Sequence, residues 1–167
     1  MPRKKAFQDH LPEFDCFGCG PANRHGLRIK SFWDPEDEGV AVCQWKPRSH
    51  HSAGFPNVTN GGIITTAIDS HCIWTATATA YRAEDRVLAS DPLIVFVTKA
   101  IQVEFLKPTP MDRSMILRAR VVYPETEKFE FTDEREWVVN CSVYVDGIKC
   151  AKGEVVVWRK KRKPSST

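Results

Sequence analysis

Apolar and polar residues alternate along most of this chain, and one segment breaks that alternation. Between Asn60 and Tyr81 the apolar side chains recur at helical spacing, with Ile64 and Ile68 on one row and Ile63, Ala67, Trp74 and Ala78 on the next. The pattern predicts one long helix, opened by Gly61-Gly62 behind Asn60 as N-cap, with most of its surface buried. Elsewhere the period is two. Residues 27–33 predict a first strand, Pro35-Glu36-Asp37-Glu38-Gly39 a turn and residues 40–45 a second strand, the pair forming a hairpin. Residues 47–59, with His50, His51, Gly54 and Pro56, read as the loop that delivers the chain to the helix.

Beyond the helix, residues 82–92 are polar and turn-rich. Residues 93–107 predict a long strand in which Ile101, Val103 and Phe105 alternate with Gln102 and Glu104, and Lys107-Pro108-Thr109-Pro110 ends it. Residues 115–123 and 137–145 predict two more strands, with a charged turn region over 124–133 between them. Asp146-Gly147 is a two-residue hairpin signal, and residues 149–158 close the sheet. Two strands, one helix and four strands in that order predict an α+β fold: an antiparallel sheet of about six strands wrapped around one long central helix.

Composition narrows the class. The 167 residues are enough for one domain with a sizeable core, and 42% hydrophobic with 27% charged residues is ordinary for a soluble globular protein. No apolar run approaches the about 18 residues that a membrane span needs, so no membrane partner is expected. The net charge of +3 sits largely at the ends, in Arg3, Lys4 and Lys5 and in Arg159-Lys160-Lys161-Arg162-Lys163. Residues 1–15 are expected as an irregular arm, 16–158 as the folded domain and 159–167 as a basic flexible tail. No aromatic platform or nucleic-acid fingerprint accompanies the basic ends, which argues against a nucleic-acid partner. No apolar stretch follows the basic start, so no secretory signal is read there. With Cys16, Cys19, Cys43, Cys72, Cys141 and Cys150, this predicts free thiols in a cytoplasmic protein.

The chemistry concentrates on Asp69, the one carboxylate in the middle of the buried helix. A carboxylate is seldom buried without a partner, so Asp69 either faces a polar cleft or reacts there. The helix start offers unpaired N–H groups and a partial positive charge, a seat for a carbonyl oxygen gaining negative charge. Gly61 and Asp69 lie roughly 12 Å apart along the axis, too far for one carbonyl to touch both. If both act on one substrate, they come from two copies of the chain, and the site lies at a dimer interface. His71 and Cys72, beside Asp69, either line the same cleft or pack. Cys16-Phe17-Gly18-Cys19-Gly20-Pro21, followed by His25-Gly26, is half of a zinc site without a second pair. The simpler reading is a glycine-rich turn with buried thiols, and no metal is expected.

Residues 16–158 resemble the hotdog-fold acyl-CoA thioesterases of the phenylacetate-pathway type. The resemblance rests on Gly61-Gly62-Ile63-Ile64 with Asp69, on Phe105-Leu106-Lys107-Pro108-Thr109-Pro110, and on the Cys16–Leu27 opening. It implies a homodimer or homotetramer that hydrolyses a fatty or aromatic acyl-CoA without a cofactor. It also implies that the Gly61 amide polarises the thioester carbonyl, while Asp69 of the neighbouring subunit acts as nucleophile or general base. Thr98, ten residues before Pro108, matches the residue that places the water in some members. Asn60 stands where the family usually has His; it can hydrogen-bond but cannot become a cation. Gly62 and Asn57 are the expected substrate contacts, Asn57 being the amide nearest a position that is Gly54 here. Trp74 and Phe105 are acyl-pocket or core residues. The alternative is a non-catalytic acyl-CoA binding protein on the same groove, which Asn60 in place of His favours. A dehydratase would want His beside the carboxylate, for which only His50 and His51 offer themselves.

Overall fold

The computed structural model describes residues 5–122 and 136–160. Six strands form one antiparallel sheet: β1 (Phe32–Trp33), β2 (Val40–Trp45), β3 (Phe96–Phe105), β4 (Met115–Val122), β5 (Glu136–Val145) and β6 (Ile148–Arg159), in the order β1-β2-β4-β5-β6-β3. The one α-helix among the described residues, α1 (Gly61–Ala83), packs against β2, β3, β4, β5 and β6. This is the helix-in-sheet arrangement expected from the period change.

Alternation decides which face meets the helix. Met115, Leu117, Ala119 and Val121 of β4, Trp137, Val139, Cys141 and Val143 of β5, and Ala151, Val155 and Val157 of β6 are all buried. Except for Cys150, which is buried like Ala151, their neighbours in the sequence are half-buried or exposed on the outer face. Across from them lie Ile64, Ala67, Ile68 and Cys72 of α1, fully enclosed. The hydroxyls of Thr65, Thr66, Thr75, Thr77 and Thr79 each donate to the carbonyl four residues back, so the threonines enter this apolar setting already bonded. The Asp146-Gly147 turn takes positive φ at both positions (49° and 77°), the twist a two-residue hairpin needs.

Three expectations are corrected. The strand expected over 27–33 pairs only at Phe32–Trp33. Leu27 and Ile29 are buried, but their N–H groups bond Phe17 and Gly18 carbonyls (2.8 and 3.1 Å), and Arg28 between them has a φ of 54°. The turn at 16–19 therefore takes the bonds that a strand would give to a neighbour. Arg159, expected to open the basic tail, ends β6 opposite Phe96 and is buried with its guanidinium 2.6 Å from Glu84. The arm is not irregular throughout: Phe7–His10 is a 3-10 helix, with Ala6, Phe7 and Gln8 buried. The turn region expected over 124–133 and the tail beyond Lys160 lie outside the described residues. Among the described residues, no helix is long and apolar enough to cross a membrane.

A buried polar chain holds the arm to the helix. Gln8 Nε2 donates to Ser31 Oγ (2.9 Å), Ser31 Oγ meets His71 Nδ1 (2.8 Å), and His71 Nε2 meets the Ala41 carbonyl (3.1 Å). A carbonyl only accepts, so Nε2 carries the proton and Nδ1 accepts from the Ser31 hydroxyl. His71 is thus a neutral structural imidazole, and burial pushes its pKa down to about 4.

Candidate active site

The start of α1 has one unoccupied donor. Asn60 Oδ1 accepts the Gly62 N–H (2.8 Å), and the Asn60 carbonyl accepts those of Ile63 and Ile64 (3.1 and 3.2 Å). Among the described residues the Gly61 N–H has no hydrogen-bond partner, at the positive end of a 23-residue helix. The exposed ring of Phe105 lies against Gly61: a Cβ there would come within 3.1 Å of Phe105 Cζ.

Asp69, two turns along α1, faces the other end of β3. Thr98 Oγ1 donates to Asp69 Oδ1 at 2.5 Å. Asp69 is half-buried, and that burial raises its pKa, with the Thr98 hydrogen bond offsetting part of the rise. A partly desolvated carboxylate is a stronger base at neutral pH than an exposed one.

One turn further on, the surroundings become apolar. Ile73 and Thr77 continue the row of Asp69 at i+4 and i+8, and Phe96 precedes Thr98 by two residues on β3. With Phe14, Trp74 and Ile94 they line a cavity of about 80 Å³. Helix and strand therefore run antiparallel, with Gly61 beside Phe105 at one end, Asp69 beside Thr98 in the middle, and the cavity beyond.

Among the residues singled out from sequence, Asp69 and Thr98 are brought together, and Gly61 stays apart from them on the same helix. Gly62 spends its N–H on the Asn60 cap, and Asn60 keeps only its side-chain amide N–H groups free of that task. Asn57 is engaged elsewhere: its Oδ1 accepts from the N–H groups of Met111 and Asp112 (both 3.0 Å), and its Nδ2 donates to Asp112 Oδ1 (2.9 Å). It ties the loop before α1 to the turn after β3. Trp74 lines the cavity, whereas Phe105 covers Gly61.

Cys72 is fully enclosed, and burial together with the Cys141 thiol pushes its pKa well up, so it is no nucleophile. His51 sits in a short 3-10 helix, its Nδ1 accepting from the Arg48 N–H (3.0 Å) and its ring 5.2 Å from that of Trp45. That is a packing role. Among the described residues no third His, Cys, Asp or Glu joins Cys16 and Cys19 in a group that could hold a metal. Sequence reasoning missed Ile73, Thr77 and Phe96, although the spacing of the first two from Asp69 was a usable signal. Phe14 gave none.

No protein-family model matches this chain, and no curated protein does. Solved structures do. A thioesterase superfamily protein from Shewanella loihica PV-4 is 26% identical, with 84% of this chain and 97% of that one covered and a TM-score of 0.60. The E. coli PaaI protein from the phenylacetic acid degradation operon is 15% identical over 81% of each chain, also with a TM-score of 0.60. A sigma28-regulated virulence protein from Campylobacter jejuni is 16% identical over 89% of this chain and 95% of that one, again at 0.60. Likeness at these identities carries the fold, so function has to be argued from the site. By sheet order, central helix and these likenesses, the chain is a hotdog-fold protein similar to PaaI and other members of the thioesterase superfamily.

Proposed function

We propose that this protein is a homodimeric acyl-CoA thioesterase acting on a small fatty or aromatic acyl group. The observation that carries the proposal is the Asp69–Thr98 pair, held against an edge strand and one helical turn from an apolar cavity. Thr98 fixes one carboxylate oxygen and leaves the other to take a proton from water. The water attacks the thioester carbonyl, and the tetrahedral oxyanion needs a donor. Within one chain the Gly61 N–H is too distant to serve.

The edge supplies a second chain. β3 has β6 on one side only, and Ile101, Phe105 and the following Leu106 are exposed, an edge that invites pairing. Thr98 marks the level of Asp69 on β3, and Phe105 marks that of Gly61. Antiparallel pairing of two β3 strands centred between Ile101 and Gln102 sets Thr98 of one chain opposite Phe105 of the other. It thereby turns one chain's Asp69 toward the other's helix start. Such an isologous interface is the commonest kind. The expelled CoA thiolate takes up a proton, and no cofactor is called for. The six free cysteines fit a reducing, cytoplasmic setting.

A cavity of about 80 Å³ suits a short aliphatic or single-ring group rather than a long chain. The test is release of free CoA from acetyl-, hexanoyl-, phenylacetyl- and palmitoyl-CoA. The expected order has hexanoyl- and phenylacetyl-CoA ahead of palmitoyl-CoA. Filling the cavity with Ile73→Phe is expected to lower kcat/KM for those two by about tenfold relative to acetyl-CoA. Acyl-CoA bound without turnover would support the non-catalytic reading instead.

A further inference from the structure

The Cys16–Cys19 turn plays no part in the proposed hydrolysis, yet it is closely built. The Gly20 N–H bonds the Cys16 carbonyl at 2.8 Å, closing one helical turn over residues 16–20. Residues three apart on such a turn fall within the Cα span of about 4.4–6.8 Å that disulfides use. The stretch that follows clamps the turn through the Leu27 and Ile29 N–H groups. Underneath lies α1: a Cβ on Gly18 would fall 2.0 Å from Ser70 Oγ, so glycine is required for the turn to sit there. The Trp74 indole N–H donates to Cys19 Sγ at 3.2 Å.

The two thiols differ in setting. Cys16 is half-buried and reachable, whereas Cys19 is enclosed. The Cys19 thiol beside it, with smaller contributions from the Cys19 and Gly18 backbone N–H groups and from Ser70, pushes the Cys16 pKa down to about 5 against the opposing effect of burial. The same pairing and burial push the Cys19 thiol up. The other four cysteines are buried in the core.

From this arrangement we infer that Cys16 and Cys19 form a peroxide-reactive dithiol, with Cys16 attacking and Cys19 resolving. Cys16 Sγ displaces hydroxide from hydrogen peroxide and keeps one oxygen as sulfenic acid; the hydroxide is protonated to water. Cys19 Sγ then attacks the Cys16 sulfur, forming the S–S bond and breaking the S–O bond, and the hydroxyl leaves with the Cys19 proton as a second water. Two electrons pass from the thiols to one peroxide, giving one disulfide and two waters. The inference is independent of the hydrolytic reading.

The test treats the native full-length protein with stoichiometric hydrogen peroxide, blocks remaining thiols by alkylation and maps the peptides by mass. The expected result is loss of about two mass units, confined to the peptide that carries both cysteines and reversed by reductant. Cys19→Ser should stop at a sulfenic acid on Cys16 that dimedone traps, and Cys16→Ser should not react. Alkylation of Cys16 should keep its rate down to about pH 6, well below the inflection of an ordinary thiol. The inference is overturned if Cys16 alkylates like an ordinary thiol and both thiols survive peroxide. It is overturned equally if oxidation maps to other cysteines, or if the purified protein holds zinc on this pair.

Discussion

Replacing Asp69 by Asn is expected to lower acyl-CoA turnover at least about 10²-fold while the protein stays folded. Asn keeps the size of the side chain and an oxygen for the Thr98 hydroxyl, but it cannot take a proton from water. Stability should hold or rise. Burial raises the pKa of Asp69 above its unfolded value, so the ionised carboxylate works against folding at neutral pH, and a neutral amide removes that cost. Turnover and thermal unfolding measured on the same preparation separate the two effects. The wild-type rate should also fall on the acid side of its profile at a pH above that at which an exposed aspartate protonates, as Asp69 takes up its proton. Equal turnover in wild type and variant would remove Asp69 from the mechanism.

Acid is expected to loosen the fold through His71, well before the carboxylates titrate. The folded imidazole has a pKa of about 4 and the unfolded one the ordinary histidine value of about 6.5. Between these values the unfolded chain binds a proton that the folded chain refuses, so stability is complete above about pH 6.5 and falls as pH drops toward 4. The full loss is about 3 kcal/mol, a large share of the 5–15 kcal/mol typical of a domain. Asp69 acts in the opposite sense within the carboxylate range, since its raised pKa favours the protonated folded state. Urea unfolding at pH 7, 5.5 and 4 measures the slope. His71→Gln, which can still donate to the Ala41 carbonyl, should be less stable at pH 7 but much flatter with pH. An unchanged slope in that variant would exclude His71 as its source.

Much of the architecture is readable from side-chain period. β2 begins and ends where Val40, Val42 and Trp45 place it, and α1 begins at Gly61 because Asn60 caps it. Leu27 and Ile29 show where the period fails. A residue buried against a turn looks in sequence like one buried in a strand, and only the destination of its N–H group distinguishes them. The arm is similar: charges around Phe7 and Gln8 suggest solvent, but Gln8 is matched by Ser31 and His71, which lie 23 and 63 residues further on.

At the site, the Asp69 carboxylate stood out from its own helix, but Thr98 came only through resemblance, since 29 residues separate the pair. The position of β3 at the sheet edge depends on its pairing with β6 across the chain, a long-range fact no local pattern carries. The cavity needs α1, β3 and the arm together, which is why Phe14 was invisible and Ile73 only half visible.

One reaction is expected to use Asp69 from one chain and the Gly61 amide from another. Gly61→Pro deletes that N–H at the first helical position, where proline fits the backbone and the exposed Phe105 ring has room to turn away. Paired with Asp69→Ala, it gives two variants, each expected to be nearly inactive alone. Unfolded together and refolded as an equal mixture, half of the dimers should be mixed, each with one intact site, restoring about a quarter of wild-type turnover. If mixed dimers form by mass and the mixture stays as inactive as its parents, the shared site is wrong.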